Sequence, residues 1–201
     1  MERLSITTAQ AAKRLGVSAQ TVQKWVDAGY LPAWKTVGGH RRLDAEAVER
    51  MAVERRSGDS PVRGVSIMLV EDDPVTAAVL EEQLLAMRAD AEVRIFEDGF
   101  SALLDAGRDV PNVLVTDIDL PGLDGLAMVS QLRQNPATQK MQIVLVTHHT
   151  RAELARFGPV PEGVTLLHKP VPAEVLAGAL GWTVQERAPD AAAAAPATER
   201  S

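Results

Sequence analysis

The chain has 201 residues, of which 46% are apolar and 3% aromatic, and it contains no cysteine. This length allows one large domain or two small ones, since domains commonly contain roughly 100–150 residues. The lack of cysteine excludes disulfides, thiolate metal sites and a cysteine nucleophile, and is typical of a reducing compartment. The sequence opens without an apolar signal-peptide region, and no stretch approaches the roughly 18 consecutive apolar residues of a membrane span. We therefore expect a cytoplasmic protein without a membrane segment.

Charge is distributed unevenly along the chain, whose net charge is −6. Residues 1–64 contain eleven basic and seven acidic side chains, whereas residues 65–201 contain ten basic and twenty acidic ones. A small basic segment joined to an acidic one predicts two domains, the first of which faces a polyanion.

Composition also changes at two places. Residues 54–64 contain charges, two glycines and a Ser-Pro pair without an apolar period, which indicates a linker. Residues 186–201 are rich in alanine and contain two prolines, and they offer nothing large to bury, which favours disorder. The predicted organisation is a first domain at 1–53, a linker at 54–64, a second domain at 65–185 and a disordered tail at 186–201.

Two short helices are predicted within residues 5–27. Thr7 and Gln10 match a capping box for the first helix, which Gly16 ends. Ser18 caps the second helix, and Gly29 ends it. Two helices joined by a short glycine turn form a helix-turn-helix, whose second helix can enter the major groove of DNA.

A hairpin is predicted after these helices, because Gly38-Gly39 can form a tight turn between extended arms. Asp44 then caps a third helix that runs to about Glu54. We assign Trp25 and Trp34 to the core of this domain. The hairpin brings together His40, Arg41 and Arg42.

The second domain alternates short apolar runs with helix-length segments. The runs are rich in β-branched residues and nearly continuous, which predicts strands buried on both faces. Strands are expected at Val65–Val70, Glu92–Phe96, Val113–Val115, Gln142–Val146 and Val164–Leu167, and helices at Pro74–Met87, Gly99–Ala106, Gly125–Gln134, Thr150–Arg156 and Pro172–Gln185. The predicted fold class is α/β, a five-stranded parallel (βα)5 sheet with helices on both faces.

Polar residues lie at the carboxyl ends of these strands, where function collects in such sheets. The first strand is followed by Glu71–Asp73, the third by Asp117, the fourth by Thr147 and the fifth by Lys169. Each could be explained singly as a turn or helix cap, but their order on four strand ends argues for a common site. Gathered carboxylates repel one another unless a cation lies among them, and oxygen ligands favour Mg²⁺. A lysine and a hydroxyl beside the metal predict phosphoryl transfer onto a carboxylate.

Residues 65–181 resemble a response-regulator receiver domain, which has a flavodoxin-like fold. The resemblance implies that Asp117 is the phosphoacceptor, with Thr147 and Lys169 beside the phosphoryl group. It implies direct Mg²⁺ ligation by Asp72 and Asp117, and leaves Asp73 without an assigned role. Further implied metal ligands are Glu71, through water, and the main-chain carbonyl of Asp119. The peptide bond between Lys169 and Pro170 is implied to be cis.

Three features depart from the family pattern. Leu166 occupies the position where receivers usually carry an aromatic switch residue, and His148 follows Thr147 where a small residue is usual. The fourth helix meets Gly158 and Pro159, so it must end early. These features leave the phosphoacceptor chemistry intact and predict an altered output switch.

Residues 4–52 resemble the winged helix-turn-helix domains of MerR-like and excisionase-like proteins. The resemblance implies that the second helix is a recognition helix and that the hairpin is the wing. The long dimerisation helix and the effector domain of full MerR regulators are absent, so metal or drug sensing is not expected. The implied DNA-binding residues are Ser18, Gln20, Thr21, Gln23, Lys24, His40, Arg41 and Arg42.

Together these features predict a bacterial two-component response regulator, a phosphorylation-controlled DNA-binding transcription regulator rather than a turnover enzyme. The expected partners are double-stranded DNA, a sensor histidine kinase or phosphotransfer protein, and a second copy in a homodimer. Two alternatives remain. One is an architectural DNA-binding protein whose receiver is a phosphorylation-independent docking module, and the other is a protein–protein signalling adaptor.

Overall fold

The computed structural model describes residues 4–36, 38–57, 64–88 and 90–183. Within these ranges the chain forms a three-stranded antiparallel sheet and a five-stranded parallel sheet, each with its own helices. The tail predicted at 186–201 and residues 58–63 of the predicted linker lie outside the described residues. None of the helices in the described part of the chain is both long and apolar enough to cross a membrane.

The N-terminal domain is built as the capping residues predict. Thr7 and Gln10 form the capping box of the first helix, and Gly16 follows that helix with a φ of 67°. The Ser18 hydroxyl accepts the Thr21 N–H at the start of the second helix. The elements are β1 (Ser5–Thr7), α1 (Thr8–Leu15), α2 (Ala19–Asp27), β2 (Ala33–Lys35), β3 (Arg41–Asp44) and α3 (Ala45–Ser57).

The small sheet of this domain contains one strand that the sequence analysis did not predict. β1 pairs antiparallel with β3, on the side opposite the hairpin partner β2. Trp25 is fully buried in the core with Val22, Leu43 and Val48, as predicted. Trp34 is 39% exposed on β2, so its assignment to the core was wrong. A three-residue edge strand gives Trp34 too few neighbours to cover the ring.

The second domain confirms the predicted flavodoxin-like α/β fold. The elements are β4 (Ser66–Val70), α4 (Pro74–Met87), β5 (Glu92–Phe96), α5 (Gly99–Ala106), β6 (Val113–Asp117), α6 (Gly125–Gln134), β7 (Gln142–Thr147), α7 (Arg151–Leu154), β8 (Val164–His168) and α8 (Ala173–Leu180). The strand order is β5-β4-β6-β7-β8, and all neighbours are parallel. This order places β4 and β6 side by side at the centre of the sheet.

Apolar side chains fill both faces of this sheet. Ile67 and Leu69 pack with α4 and α8 on one face, whereas Met68 and Val70 pack with α5 and α6 on the other. Because both sets are fully buried, the strand is a continuous apolar run in the sequence.

Two helices end earlier than the sequence analysis predicted. α8 stops at Leu180 because Gly181 adopts a left-handed conformation, with φ 69°, and its N–H bonds to the Ala177 carbonyl. α7 contains only four residues, although Thr150 and Glu153 form a complete capping box at its start. The early end that Gly158 and Pro159 imply is therefore confirmed.

Candidate functional site

Acidic side chains converge at the carboxyl ends of β4 and β6. Glu71 and Asp72 directly follow β4, and Asp117 is the last residue of β6. Because these strands are neighbours in parallel register, one carboxylate oxygen of each residue lies within 4.8 Å of the others. Glu71 and Asp117 are buried and Asp72 is exposed. We call Glu71, Asp72, Asp117 and Lys169 the acid site.

Lys169 supplies the positive charge of the acid site. Its Nζ donates to Glu71 Oε2 at 2.6 Å and to Asp117 Oδ2 at 2.5 Å, and only 6% of its side chain is exposed. Burial lowers the pKa of Lys169, but hydrogen bonding to Asp117 and Glu71 outweighs this effect and the pKa is raised overall. Burial raises the pKa of Glu71 by more than the Lys169 hydrogen bond lowers it. The Lys169–Pro170 peptide bond is cis, as the family resemblance implies.

Backbone amides hold the second oxygen of the Asp117 carboxylate. Asp117 Oδ1 accepts the N–H of Ile118 at 2.5 Å and that of Asp119 at 3.2 Å. Lysine on one oxygen and amides on the other fix the orientation of the carboxyl group before any ligand binds. The predicted roles of Asp117 as phosphoacceptor and of the Asp119 carbonyl as metal ligand stay predictions.

Asp73, the third acid after β4, caps a helix. Its Oδ2 accepts the Thr76 N–H at 2.8 Å and the Thr76 hydroxyl at 2.6 Å. The hydroxyl hydrogen bond first, and then the backbone N–H, lower the pKa of Asp73. This contact orients the carboxylate toward the first turn of α4 and gives Asp73 the structural role that the sequence left open.

Thr147 lies where β7 ends, next to the acid site. Asp117 is in register with Val146, so Thr147 follows one position beyond it, and Thr147 is fully buried. Its hydroxyl accepts the backbone N–H of His149 at 3.0 Å. The structure thus brings this predicted site residue to the same edge of the sheet as Asp117.

The histidine that faces this edge is His149, whereas sequence analysis singled out His148. The His148 side chain is exposed, and His149 Nε2 lies 2.7 Å from Asp119 Oδ2. The His149 ring also contacts Phe157, with 4.9 Å between ring centroids. A turn follows β7 immediately, so the strand alternation that predicts side-chain direction no longer applies there.

Gly125 is a residue of the site that sequence analysis missed. A Cβ atom at this position would lie 1.9 Å from the carbonyl oxygen of Asp117, which no side chain tolerates. The glycine therefore lets α6 begin directly against the end of β6. The sequence Leu123-Asp124-Gly125 carries the signal, since Asp124 caps α6 and the glycine follows at its first position.

The predicted DNA-binding residues fall into two groups. Gln23 and Lys24 are exposed on α2, and His40 is exposed on the hairpin. Arg41 pairs with Asp27 at 3.0 Å. Arg42 is half-buried and in register with Trp34. The second group lies near the N-terminal end of α2 and faces the other domain. It consists of Ser18 and Gln20, which are half-buried, and Thr21, which is fully buried.

The fold and the acid site define an α/β domain with a lysine-paired aspartate at the centre of its sheet. A model of the response regulator receiver domain matches residues 67–180, and a model of a helix-turn-helix domain matches residues 5–56. The receiver match spans more than half of the chain, so the protein belongs to the response regulator receiver family and carries an N-terminal helix-turn-helix domain.

Similar curated proteins match this chain over part of its length. Response regulator PleD of Caulobacter vibrioides is 35% identical over 81 residues, which are 40% of this chain and 17% of PleD. Transcriptional activator protein PfeR of Pseudomonas aeruginosa is 40% identical over 75 residues, 37% of this chain and 24% of PfeR. The chain therefore spans less than a quarter of the length of these two relatives.

A solved structure shows the same fold with a metal. The receiver domain of sensor histidine kinase PA1611 from Pseudomonas aeruginosa, with magnesium coordinated in its active-site cleft, is 26% identical. The match covers 59% of this chain and 97% of that chain, with a TM-score of 0.53.

Proposed function

We propose that this protein is a two-component response regulator that binds double-stranded DNA through its N-terminal domain under control of phosphorylation at Asp117. The observation that carries the proposal is the acid site. A buried aspartate at the centre of the sheet pairs with a lysine whose side chain is almost covered, and two further carboxylates lie within 4.8 Å. This combination of a carboxylate nucleophile, metal-ligating oxygens and a cation is what phosphoryl transfer requires.

The donor set of the acid site fits Mg²⁺. Glu71, Asp72 and Asp117 offer only oxygen ligands, which hard cations prefer, and Mg²⁺ needs only one or two carboxylates because it retains several waters. Asp72 and Asp117 would bind the ion directly, Glu71 would bind through water, and the Asp119 carbonyl would complete the protein ligands. When bound, the ion would neutralise charge on the phosphoryl oxygens. The magnesium in the related PA1611 receiver supports this assignment.

The chemistry of the chain's own residues follows from their positions. A carboxylate oxygen of Asp117 attacks the phosphorus of a phosphohistidine, forming an oxygen–phosphorus bond as the nitrogen–phosphorus bond breaks. The bonding electron pair leaves with the imidazole nitrogen, which takes up a proton. Lys169 then transfers its contact from the carboxylate to a phosphoryl oxygen, and the Thr147 hydroxyl donates to another.

Labelling with acetyl phosphate tests the proposal. Wild-type protein should gain one phosphoryl group in the presence of Mg²⁺, detected by intact mass, and hydroxylamine should release it as expected for an acyl phosphate. Asp117→Asn should abolish the labelling. Asp98→Asn is the matched control, because Asp98 caps α5 and is not part of the acid site, and asparagine also caps helices. Labelling of Asp117→Asn at the wild-type level would overturn the assignment.

DNA binding is tested separately. The N-terminal domain should bind duplex DNA with an affinity that falls steeply as salt rises, because basic side chains that contact phosphates release counterions. Absence of salt-sensitive binding by the full chain, with labelling intact, would favour the protein–protein signalling adaptor instead. Equal DNA occupancy by wild type and Asp117→Asn would favour the phosphorylation-independent architectural role.

A further inference from the structure

The N-terminal end of the recognition helix contacts the free edge of the receiver sheet. Among the described strands, β5 has a neighbour only on one side, β4, so its other edge would present unpaired backbone groups. Val93 in β5 satisfies both of its outward groups with the N-terminal domain. Its carbonyl accepts the Ser18 N–H at 3.1 Å, and its N–H donates to the Thr21 hydroxyl at 3.3 Å.

Burial shows that this contact covers the end of α2. Thr21 is fully buried, and the Ser18 hydroxyl lies 2.9 Å from the Thr21 hydroxyl. Glu81 approaches from α4 of the receiver, is 4% exposed and lies against the Ser18 side chain. A cleft of about 630 Å³ continues the contact, with Lys13 and Gln20 on one side and Ile95 on the other.

We propose that this contact is autoinhibitory, so that the receiver masks the N-terminal end of the recognition helix and DNA binding requires the two domains to separate. The inference rests on the proposed DNA-binding function. A recognition helix contacts base edges with its N-terminal residues. Here those residues include Ser18 and Thr21, and both are hydrogen-bonded to Val93 of β5. We call the state in which the two domains make this contact the closed arrangement, and the separated state the open arrangement.

Charge reinforces the masking. Residues 65–185 contain seventeen acidic and eight basic side chains, and the receiver contacts the DNA-binding domain directly beside the recognition helix. Phosphates approaching the end of α2 would come within a Debye length of this acidic domain, about 8 Å at physiological salt. The closed arrangement therefore opposes DNA both sterically and electrostatically.

The groups in this contact allow the two domains to separate at little cost in free energy. Val93 groups that bond Ser18 and Thr21 can bond water after separation, and so can the two hydroxyls. Glu81 Oε1 is buried without a hydrogen-bond partner within the described part of the chain, which opposes closure. The hydrogen bonds of the contact can be replaced by hydrogen bonds to water, and closure buries an unsatisfied oxygen. The free-energy difference between the closed and open arrangements is therefore small.

Both receiver elements in the contact also adjoin the acid site. The Phe96 carbonyl in β5 accepts the Glu71 N–H at 2.9 Å, and α4 begins at Pro74, just after the acidic run that follows β4. The masking contact and the acid site therefore share a strand and a helix.

The first test compares two charge reversals on adjacent residues of α4 in the full chain. Glu81→Lys places an ammonium group in the contact and should open it, whereas Glu82→Lys makes the same charge change at an exposed position. If the open form is about 10% populated, opening should tighten DNA binding about tenfold. The probe is a mixed-sequence DNA duplex, and fluorescence anisotropy measures its dissociation constant. Equal affinities of the two variants would overturn the autoinhibition.

The second test measures the contact without DNA. The sequence contains no cysteine, so a Lys13→Cys, Ile95→Cys pair across the cleft can be joined selectively by a short bismaleimide. Joining should be efficient, should fall when Glu81→Lys is added, and should abolish DNA binding by holding the domains closed. A Lys13→Cys, Val175→Cys pair, with the second cysteine on α8, is the control and should join poorly.

The two tests separate this proposal from the proposed function. Equal joining of the two cysteine pairs would show that the contact does not form, and would overturn the autoinhibition alone. A joined protein that still binds DNA like the unjoined one would do the same. Absence of DNA binding by every variant, with selective joining intact, would instead overturn the DNA-binding function on which the inference rests.

Discussion

The acid site and the recognition helix differ in what surrounds them. Glu71, Asp117 and Lys169 come from three strand ends of one sheet, are almost excluded from solvent and touch one another directly. On α2, Lys24 is exposed, whereas Thr21 is covered by a strand of the other domain. All residues of the acid site come from the receiver itself. The surface that the recognition helix exposes to solvent depends instead on where the receiver lies relative to it.

This difference separates two kinds of response to substitution. At the acid site, removal of one charged group leaves its buried partners without compensation, so the stability of the receiver should change. At the recognition helix, a substitution on either side of the contact should shift the balance of closed and open arrangements and leave each domain folded. The following experiments examine this contrast.

Removal of the buried lysine should have the largest effect. Lys169→Ala leaves two buried carboxylates facing each other, which should destabilise the receiver by about 3–5 kcal/mol. Urea unfolding measures the loss, and added Mg²⁺ should restore part of it by replacing the positive charge. Lys140→Ala removes an exposed lysine from the same domain and should change stability by less than about 0.5 kcal/mol. A neutral effect of Lys169→Ala would show that the acid site does not depend on its own charge balance.

Substitution of Gly125 should affect stability and labelling together. Gly125→Ala forces the start of α6 away from the Asp117 carbonyl, at a cost of about 1–3 kcal/mol, and should slow acetyl phosphate labelling. Gly178→Ala is the matched control. No other atom lies within 4 Å of a Cβ at this position in α8, so alanine should stabilise the helix by roughly 0.5–1 kcal/mol. Unchanged labelling and stability in Gly125→Ala would contradict the close approach.

The domain contact should weaken as pH rises. Burial raises the pKa of Glu81 in the closed arrangement, more than hydrogen bonding from Ser18 lowers it. Glu81 therefore holds its proton more tightly when closed, so closure is favoured at low pH and this contribution is lost as pH rises through the raised pKa. Maleimide addition itself speeds up as pH rises, because the thiolate is the reactive form of cysteine. Measured relative to maleimide addition to Lys13→Cys alone at each pH, the cysteine joining described above should fall in the range just above the ordinary glutamate pKa of 4.5.

One control variant makes the pH experiment specific. Glu81→Gln has no titrating proton and should make joining independent of this pH change. Other charged groups line the same cleft, namely Lys13, Arg94 and Asp105, and they are unchanged in the variant. A pH dependence of this relative joining that survives in Glu81→Gln would assign the titration to another group.

The wing arginines should have a moderate effect on DNA affinity alone. Arg41→Ala or Arg42→Ala should weaken binding to all sequences and reduce the salt slope by about 1 for each DNA phosphate that the arginine had neutralised. Anisotropy titrations over a range of salt concentrations measure both quantities. A change of preferred sequence with an unchanged slope would show that these arginines contact bases.

Phosphorylation should have the smallest effect on self-association. Leu166 carries no ring, and α7 is only four residues long, so the α7–β8 edge of the receiver has little to rearrange. Light scattering with and without beryllofluoride should give nearly the same mass. A clean monomer-to-dimer shift at micromolar protein would show that Leu166 transmits the signal after all.

The receiver fold and acid site were largely predictable because they depend on backbone topology. Continuous apolar runs such as Ser66–Val70 identify strands buried on both faces, and parallel order then brings Asp117 and Lys169 to one edge. The directions of the His148 and His149 side chains depend on the backbone dihedral angles just after β7. Hydrophobic periodicity in the sequence does not determine these angles. The need for glycine at position 125 depends on a backbone approach between residues eight positions apart.

The N-terminal domain was predictable to the level of its caps and turns, and its relation to the receiver was not. Thr7, Ser18 and Asp44 cap helices as their side chains predict. The bond between Thr21 and Val93 joins residues 72 positions apart and leaves no local trace in either segment. Glu81 looks like an ordinary surface glutamate of α4 in the sequence, whereas in the structure it is buried and lies against Ser18 of the other domain.

The two contacts proposed for Thr21 constrain how a regulator of this kind can evolve. Under the proposed autoinhibition, the same hydroxyl serves a strand of its own chain in one arrangement and a DNA target in the other. A substitution there that altered the preferred DNA sequence would also alter the population of the masked form. Target choice and basal activity are thus tied to one side chain, and a shift in one must be balanced by compensating changes along β5 or α4.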